Sequence, residues 1–170
     1  MILPDVNVLI YAFRQDTPEH AVCRPWLDSV VSGSGRFGIL PLALSAVVRI
    51  TTNLRTYEVP STLDEAFGYC QDLLGQPHCQ VVEPGERHFG IFKRLCIETS
   101  TRGPRVTDAW FGALAIEWGC EWVTLARSRL CALSGTEVQR ADGVAGLARP
   151  VFASARRNQL VTSNVSLSKV

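Results

Sequence analysis

The chain predicts an α/β domain with a mainly parallel central sheet. Short apolar runs open at Met1, Phe37, Cys79 and Glu121, and each is too brief for a helix. Segments with apolar residues at helical period separate them, and Gly, Pro and Ser clusters mark the joins. At 170 residues one domain with a sizeable core is expected, and 46% hydrophobic against 19% charged residues is a globular balance.

The first run, MILPDVNVLIYAF from Met1 to Phe13, organises the rest. The run reads as a buried strand with Pro4 near its start, where a missing N–H does least damage; a strand confined to Met1 to Leu3 would turn over near Asp5. Open parallel sheets place their chemistry beyond the carboxyl ends of the strands, which is where Asp5 and Asn7 fall. The plainer reading is that Asp5 only caps the next helix. Arg14 to His20 is a polar loop, and Ala21 to Val31 has a helical period, broken by Ser32 to Gly35. Phe37 to Leu44 reads as the second strand, with Ser45 capping a helix from Ala46 to Thr52. Ser61 with Asp64 has the spacing of a capping box for a helix that stops at Gly75. Cys79 to Val82 is the third strand and Arg87 to Thr99 a helix. Thr107 to Trp118 is an amphipathic helix with Thr107 as its N-cap and Gly119 as its terminator, and Glu121 to Leu125 is the fourth strand.

Composition excludes several classes. No apolar run is long enough to span a membrane, and no basic segment followed by an apolar stretch reads as an export signal. The six cysteines are scattered without a C-x-x-C pair, which argues against a zinc ribbon and for reduced thiols in a cytoplasmic protein. From Ala126 onward seven Lys or Arg face two acids, so that tail carries +5 and Met1 to Leu125 carries −4. The body has no general basic field for nucleic acid, so a polyanion must meet local arginines or a metal. His20, His78 and His88 stand apart and read as surface or loop residues, and the four tryptophans as core or dimer surface.

Two carboxylates stand out. Asp5 follows the first strand, and Asp108 opens the last long helix, where an acid also suits the helix dipole. Two acids at one rim of a parallel sheet repel unless a cation lies between them. Hard divalent ions such as Mg²⁺ bind through one or two carboxylates, waters and substrate phosphate.

MILPDVNVLIYAF resembles the opening motif of PIN-domain ribonucleases, especially the VapC toxins of toxin–antitoxin pairs. VTDAWFGALAIEWGCEWVTL resembles that family's later motif, an acid opening a helix of small and apolar residues, then Gly and a strand. The resemblance covers Met1 to about Leu125. It implies a three-layer α/β/α fold and a Mg²⁺- or Mn²⁺-dependent endoribonuclease, usually a homodimer, silenced by a VapB-type antitoxin. Asp5 and Asp108 match the catalytic, metal-binding acids; Asn7 and Thr107 match flanking polar positions. The family implies no organic cofactor.

The chain also departs from the family. Many members carry a Glu-x-x-Arg in the helix after the second strand; the Arg matches Arg49, but Ala46 holds the Glu position. After the last strand the family reads Thr-x-Asp-x-Asp or Gly, then Phe-Ala-Arg-Phe-Pro-Gly-Leu. Here Thr124-Leu125-Ala126-Arg127-Ser128-Arg129 follows, with no acid before Glu137, so the fourth carboxylate is missing. Leu130 to Val138 can be encoded by CTTTGCGCGCTTTCCGGGACTGAGGTN, which read one base later gives Phe-Ala-Arg-Phe-Pro-Gly-Leu-Arg. The expectation is therefore a nuclease domain over 1–125 and an irregular, basic tail over 126–170, which is either out-of-frame sequence or a real but irregular extension. Two other functions compete. A phosphotransferase of haloacid-dehalogenase type would use Asp5 as nucleophile, but Asn7 occupies its second acid position and only Lys93 offers a phosphate-binding lysine. A catalytically dead module would keep the fold and only bind its antitoxin.

Overall fold

The computed structural model describes residues 1–126 and 129–134, with side chains through Leu125. In chain order the described elements are β1 (Ile2–Pro4), α1 (Val6–Phe13), α2 (His20–Val31), β2 (Phe37–Ile39), α3 (Pro41–Thr51), α4 (Leu63–Leu74), β3 (Cys79–Val81), α5 (His88–Glu98), α6 (Arg105–Trp118), β4 (Glu121–Ala126) and β5 (Arg129–Ser134). The sheet order is β3-β2-β1-β4-β5. The first four strands run parallel and β5 pairs antiparallel to β4 at the edge. This is the α/β, mainly parallel architecture expected from the alternation of runs, and the three-layer α/β/α arrangement implied by the resemblance.

Topology decides where chemistry can sit. The chain builds outward from β1 through β2 to β3, then returns to lay β4 on the other side of β1. The crevice beyond the carboxyl ends of β1 and β4 is therefore the topological switch point. Because β4 runs parallel to β1, the helix leading into it starts at that same carboxyl edge. Asp5 and the first turn of α6 thus converge, although 103 positions separate Asp5 from Asp108.

The core lies between the sheet and its helices. Leu3, Val8, Leu9, Phe37, Ile39, Val47, Val82 and Leu114 are fully buried or nearly so, and a second cluster of Leu95, Ala109 and Ala113 joins α5 to α6. Gly38 in β2 is set by this packing: a Cβ there would stand 2.7 Å from Val82 Cγ2 and 3.0 Å from Leu3 Cδ1. Both neighbours are fully buried, so neither has free space to swing into. Gly38→Ala is expected to destabilise by about 1–2 kcal/mol from overpacking, read as a melting temperature lower by roughly 3–6 °C. An unchanged melting temperature removes the claim of tight packing at β2.

Several boundaries move. Pro4 ends β1 rather than standing near its start; beyond it the Asp5 N–H donates to Val123 O (2.8 Å). The second strand stops at Ile39, and the helix starts at Pro41, whose fixed φ and absent N–H suit the first helical position. Ser45 is consequently a mid-helix residue and not a cap. The capping box is one residue later than expected: Thr62 Oγ1 accepts from Glu65 N (3.2 Å), and Glu65 Oε2 accepts from Thr62 N (2.7 Å). Ser61 instead accepts from Arg14. Helix α6 begins at Arg105, with Pro104 at the cap position, so Thr107 lies inside the first turn. Gly119 does end that helix, in the left-handed conformation (φ 63°). His88 is buried, not superficial; its Nε2 meets the Trp110 carbonyl at 3.0 Å and its ring meets the Trp110 ring edge-on. The tail expected over 126–170 contributes the backbone of β5. Its remainder, with residues 127–128 and 135–170 and the second reading of Leu130 to Val138 at the side-chain level, lies outside the described residues.

Candidate active site

A cleft of about 530 Å³ opens at the switch point and is lined by Asp5, Asn7, Thr107 and Asp108 together. All four residues singled out from the sequence therefore meet in one place. Helices α1, α3 and α6 and the segment around Tyr57 form its walls.

Asp5 is both a helix cap and a cleft residue. Its Oδ1 accepts from the Val6 N–H (2.7 Å), and its Oδ2 accepts from the Thr124 hydroxyl (2.6 Å). Asn7 tightens the arrangement: its Nδ2 donates to Thr124 Oγ1 (3.1 Å), and its Oδ1 accepts from Leu125 N (3.2 Å). The side chain of Asn7 thus bridges α1 to β4 and leaves the Thr124 hydroxyl proton for Asp5. Burial pushes the Asp5 pKa up; the bonds from Thr124 and Val6 oppose this, and the charge of Asp108 adds to the rise. Asp108 stands in the exposed first turn of α6, its pKa also raised by desolvation and opposed by Arg105.

The cleft's charged lining is Asp5, Asp108 and Arg49, a sum of −1. That sum repels a phosphodiester. One divalent cation between the acids turns it to +1, matched to a single phosphate. Both acids offer hard oxygen donors, which fit Mg²⁺ or Mn²⁺ completed by waters. Among the described residues no group of three or more His, Cys, Asp or Glu is gathered for a metal, so the pair is what the described residues offer there. Ala46 lines the cleft from α3, one turn before Arg49, where a longer acidic side chain would enter it.

The remaining charged side chains divide between structure, surface and cleft. Arg14 is a buried structural residue: its guanidinium donates to Asp16 (2.8 and 2.5 Å), Ser61 Oγ (2.8 Å) and Val59 O (2.8 Å). It also lies over the Tyr57 ring at 4.1 Å from the centroid. Arg55 is exposed and does not line the cleft, whereas Arg49 does. Lys93, which a phosphotransferase reading requires, stands on α5 away from the cleft. Sequence reasoning missed Thr124 as a partner of Asp5, and Tyr11 and Tyr57 as cleft residues. Nothing in their local sequence marks them, because the Thr124–Asp5 contact spans 119 positions and the two tyrosines reach the cleft from places 46 positions apart.

The PIN domain family model matches residues 2–127. The chain is 39% identical over 127 residues to ribonuclease VapC25 of Mycobacterium tuberculosis (strain ATCC 25618 / H37Rv), covering 75% of this chain and 89% of that protein. It is 36% identical over the same length to ribonuclease VapC31 of M. tuberculosis (strain CDC 1551 / Oshkosh), with the same coverage. It is 32% identical over 127 residues to VapC ribonuclease Mb2897 of Mycobacterium bovis (strain ATCC BAA-935 / AF2122/97), covering 75% of this chain and 86% of that protein. With a carboxylate pair at the switch point of a parallel sheet and these relatives along three quarters of its length, the chain belongs to the PIN-domain family and, within it, to the VapC ribonucleases.

Proposed function

We propose that the protein is the toxin of a VapBC-type toxin–antitoxin pair, a metal-dependent endoribonuclease that hydrolyses RNA phosphodiester bonds. The observation that carries this is the meeting of Asp5 and Asp108 in one cleft whose net charge suits a phosphate only once a divalent cation is added. Asp5 and Asp108 would hold that cation, Mg²⁺ or Mn²⁺. The chemistry it supplies when bound is a lowered pKa for water and neutralisation of charge developing on the phosphate. Thr124 and Asn7 hold the Asp5 carboxylate in one orientation, so that no reorganisation is needed as RNA binds. Thr107 offers a hydroxyl beside Asp108, and Arg49 a positive charge for a phosphate on the α3 side. A VapB-type antitoxin is the proposed partner, a homodimer the proposed assembly and the cytoplasm the proposed location. Among the described residues no helix is long and apolar enough to cross a membrane.

With two protein carboxylates, cation affinity is expected to be modest, and Ala46 and the acid-free stretch after Thr124 lower it further. Titrating the purified protein with Mn²⁺ in the presence of a mixed-sequence RNA tests the proposal. Cleavage should appear with the cation, vanish with EDTA and return when the cation is restored. Affinity for an antitoxin without cleavage at any Mn²⁺ concentration would instead favour the binding module, for which Ala126 and Ser128 speak.

A further inference from the structure

The connection between α3 and α4, residues 52–62, supplies part of one cleft wall through Thr56 and Tyr57. Its 11 residues make it long for a helix–helix connection, and it has little packing of its own: Leu54 is 79% and Val59 74% exposed. Its local ties are few. Asn53 O accepts from Thr56 N (3.0 Å) and Tyr57 N (3.1 Å), Asn53 Oδ1 from Arg55 N (2.8 Å), and Thr51 O from Ser61 N (2.9 Å). Among the described residues, the only hydrogen bonds that reach the connection from outside α3 and α4 come from Arg14, to Ser61 Oγ and Val59 O, both 2.8 Å. The same guanidinium covers the Tyr57 ring. Arg14 is 9% exposed, and the half-exposed Asp16 aligns it by accepting from Nε and Nη2. Its backbone N–H closes the last turn of α1 on Ile10 O (2.8 Å), while Asp5 caps the first turn. Helix α1 has eight residues and is therefore a rod of about 12 Å. One end carries Asp5; the other carries the guanidinium that holds the wall.

We propose that Arg14 is a positioning residue for the cleavage reaction: through α1 it fixes how far Thr56 and Tyr57 stand from Asp5, and so the width of the cleft. This rests on the ribonuclease reading above. Without the guanidinium the connection keeps only its local ties, and the cleft loses a firm wall while both acids stay in place. The loss then falls on RNA binding and spares cation binding and the chemical step. Lysine would keep a positive charge near Tyr57 but not the planar fork that bonds Asp16, Ser61 and Val59 at once.

The test compares the full chain with Arg14→Gln, Arg14→Lys and Asp16→Ala. The last removes only a half-exposed loop carboxylate, which keeps the test open should Arg14→Gln fail to fold. Without cation, backbone amides of residues 53–61 should exchange with deuterium roughly tenfold faster or more in Arg14→Gln, the scale of one lost hydrogen bond to a charged group. Those of α6 should keep the wild-type rate. With saturating Mn²⁺ and a mixed-sequence RNA, KM should rise about fivefold or more while kcat stays within about twofold. The Mn²⁺-induced rise in melting temperature should match wild type. Arg14→Lys and Asp16→Ala should show the same pattern at smaller size. Unchanged exchange at 53–61, faster exchange spread evenly along the chain, or a fall in kcat at unchanged KM each overturns the proposal, the last two marking a merely structural residue. A wild-type protein that cleaves no RNA rejects the ribonuclease reading instead, and the exchange pattern still decides whether Arg14 holds the wall.

Discussion

Asp108→Asn is expected to cut cation-dependent RNA cleavage by roughly 10²–10³-fold or more, the scale for removing one charged group from a preorganised site. The fold should be unaffected. Asp108 is exposed in the first turn of α6, and its carboxylate makes no hydrogen bond among the described residues. Its structural role is its fit to the helix dipole, about 0.3–1 kcal/mol. Against that, the substitution relieves repulsion with Asp5, so cation-free stability should change by less than about 1 kcal/mol. Thermal melts separate the two effects. Wild type should gain stability as Mn²⁺ rises, because the ion binds the folded state, whereas Asp108→Asn should not respond. Asp5→Asn should lose cleavage equally, with a larger stability change because Thr124 and Val6 both donate to that carboxylate. Undiminished cleavage in both variants would reject the site.

Ala46→Glu is expected to do the opposite. Ala46 lines the cleft from α3, and a carboxylate there makes three acids and a lining charge of −2. Cation affinity should rise by roughly tenfold or more, since affinity for a hard cation follows the ligand charge count. Helix propensity changes little between Ala and Glu at an interior position, about 0.4 kcal/mol. Without cation the third acid adds repulsion, so the variant should melt below wild type in EDTA and above it in Mn²⁺. Calorimetric titration with Mn²⁺ reads the affinity directly. An affinity equal to wild type would mean that this wall of α3 does not face the ion.

Much of the fold was legible because its signals are local. Short apolar runs alternate with helical periods, Gly119 terminates α6 where a left-handed residue was needed, and Asp5 stands at the end of a strand. The errors were local competitions that sequence alone left balanced. Leu40 to Leu44 is apolar enough for a strand, but Pro41 removes a ladder N–H and suits a helix start. Ser61 and Thr62 both suit a cap, and the buried Arg14 guanidinium recruits Ser61, leaving Thr62 for Glu65. His88 gave no sign of burial because its partner is a backbone carbonyl on another helix.

The sequence by itself determined the alternation of elements, the family resemblance and the two acids, since each is written in the order and type of neighbouring residues. The tertiary structure alone decided that Asp5 and Asp108 share one cleft, that Thr124 and Asn7 orient the first of them, and that Tyr57 stands beside both. Those facts depend on β4 returning to the far side of β1. A strand's place in a sheet is fixed by burial and pairing across the whole domain, not by any stretch of chain short enough to be read for itself.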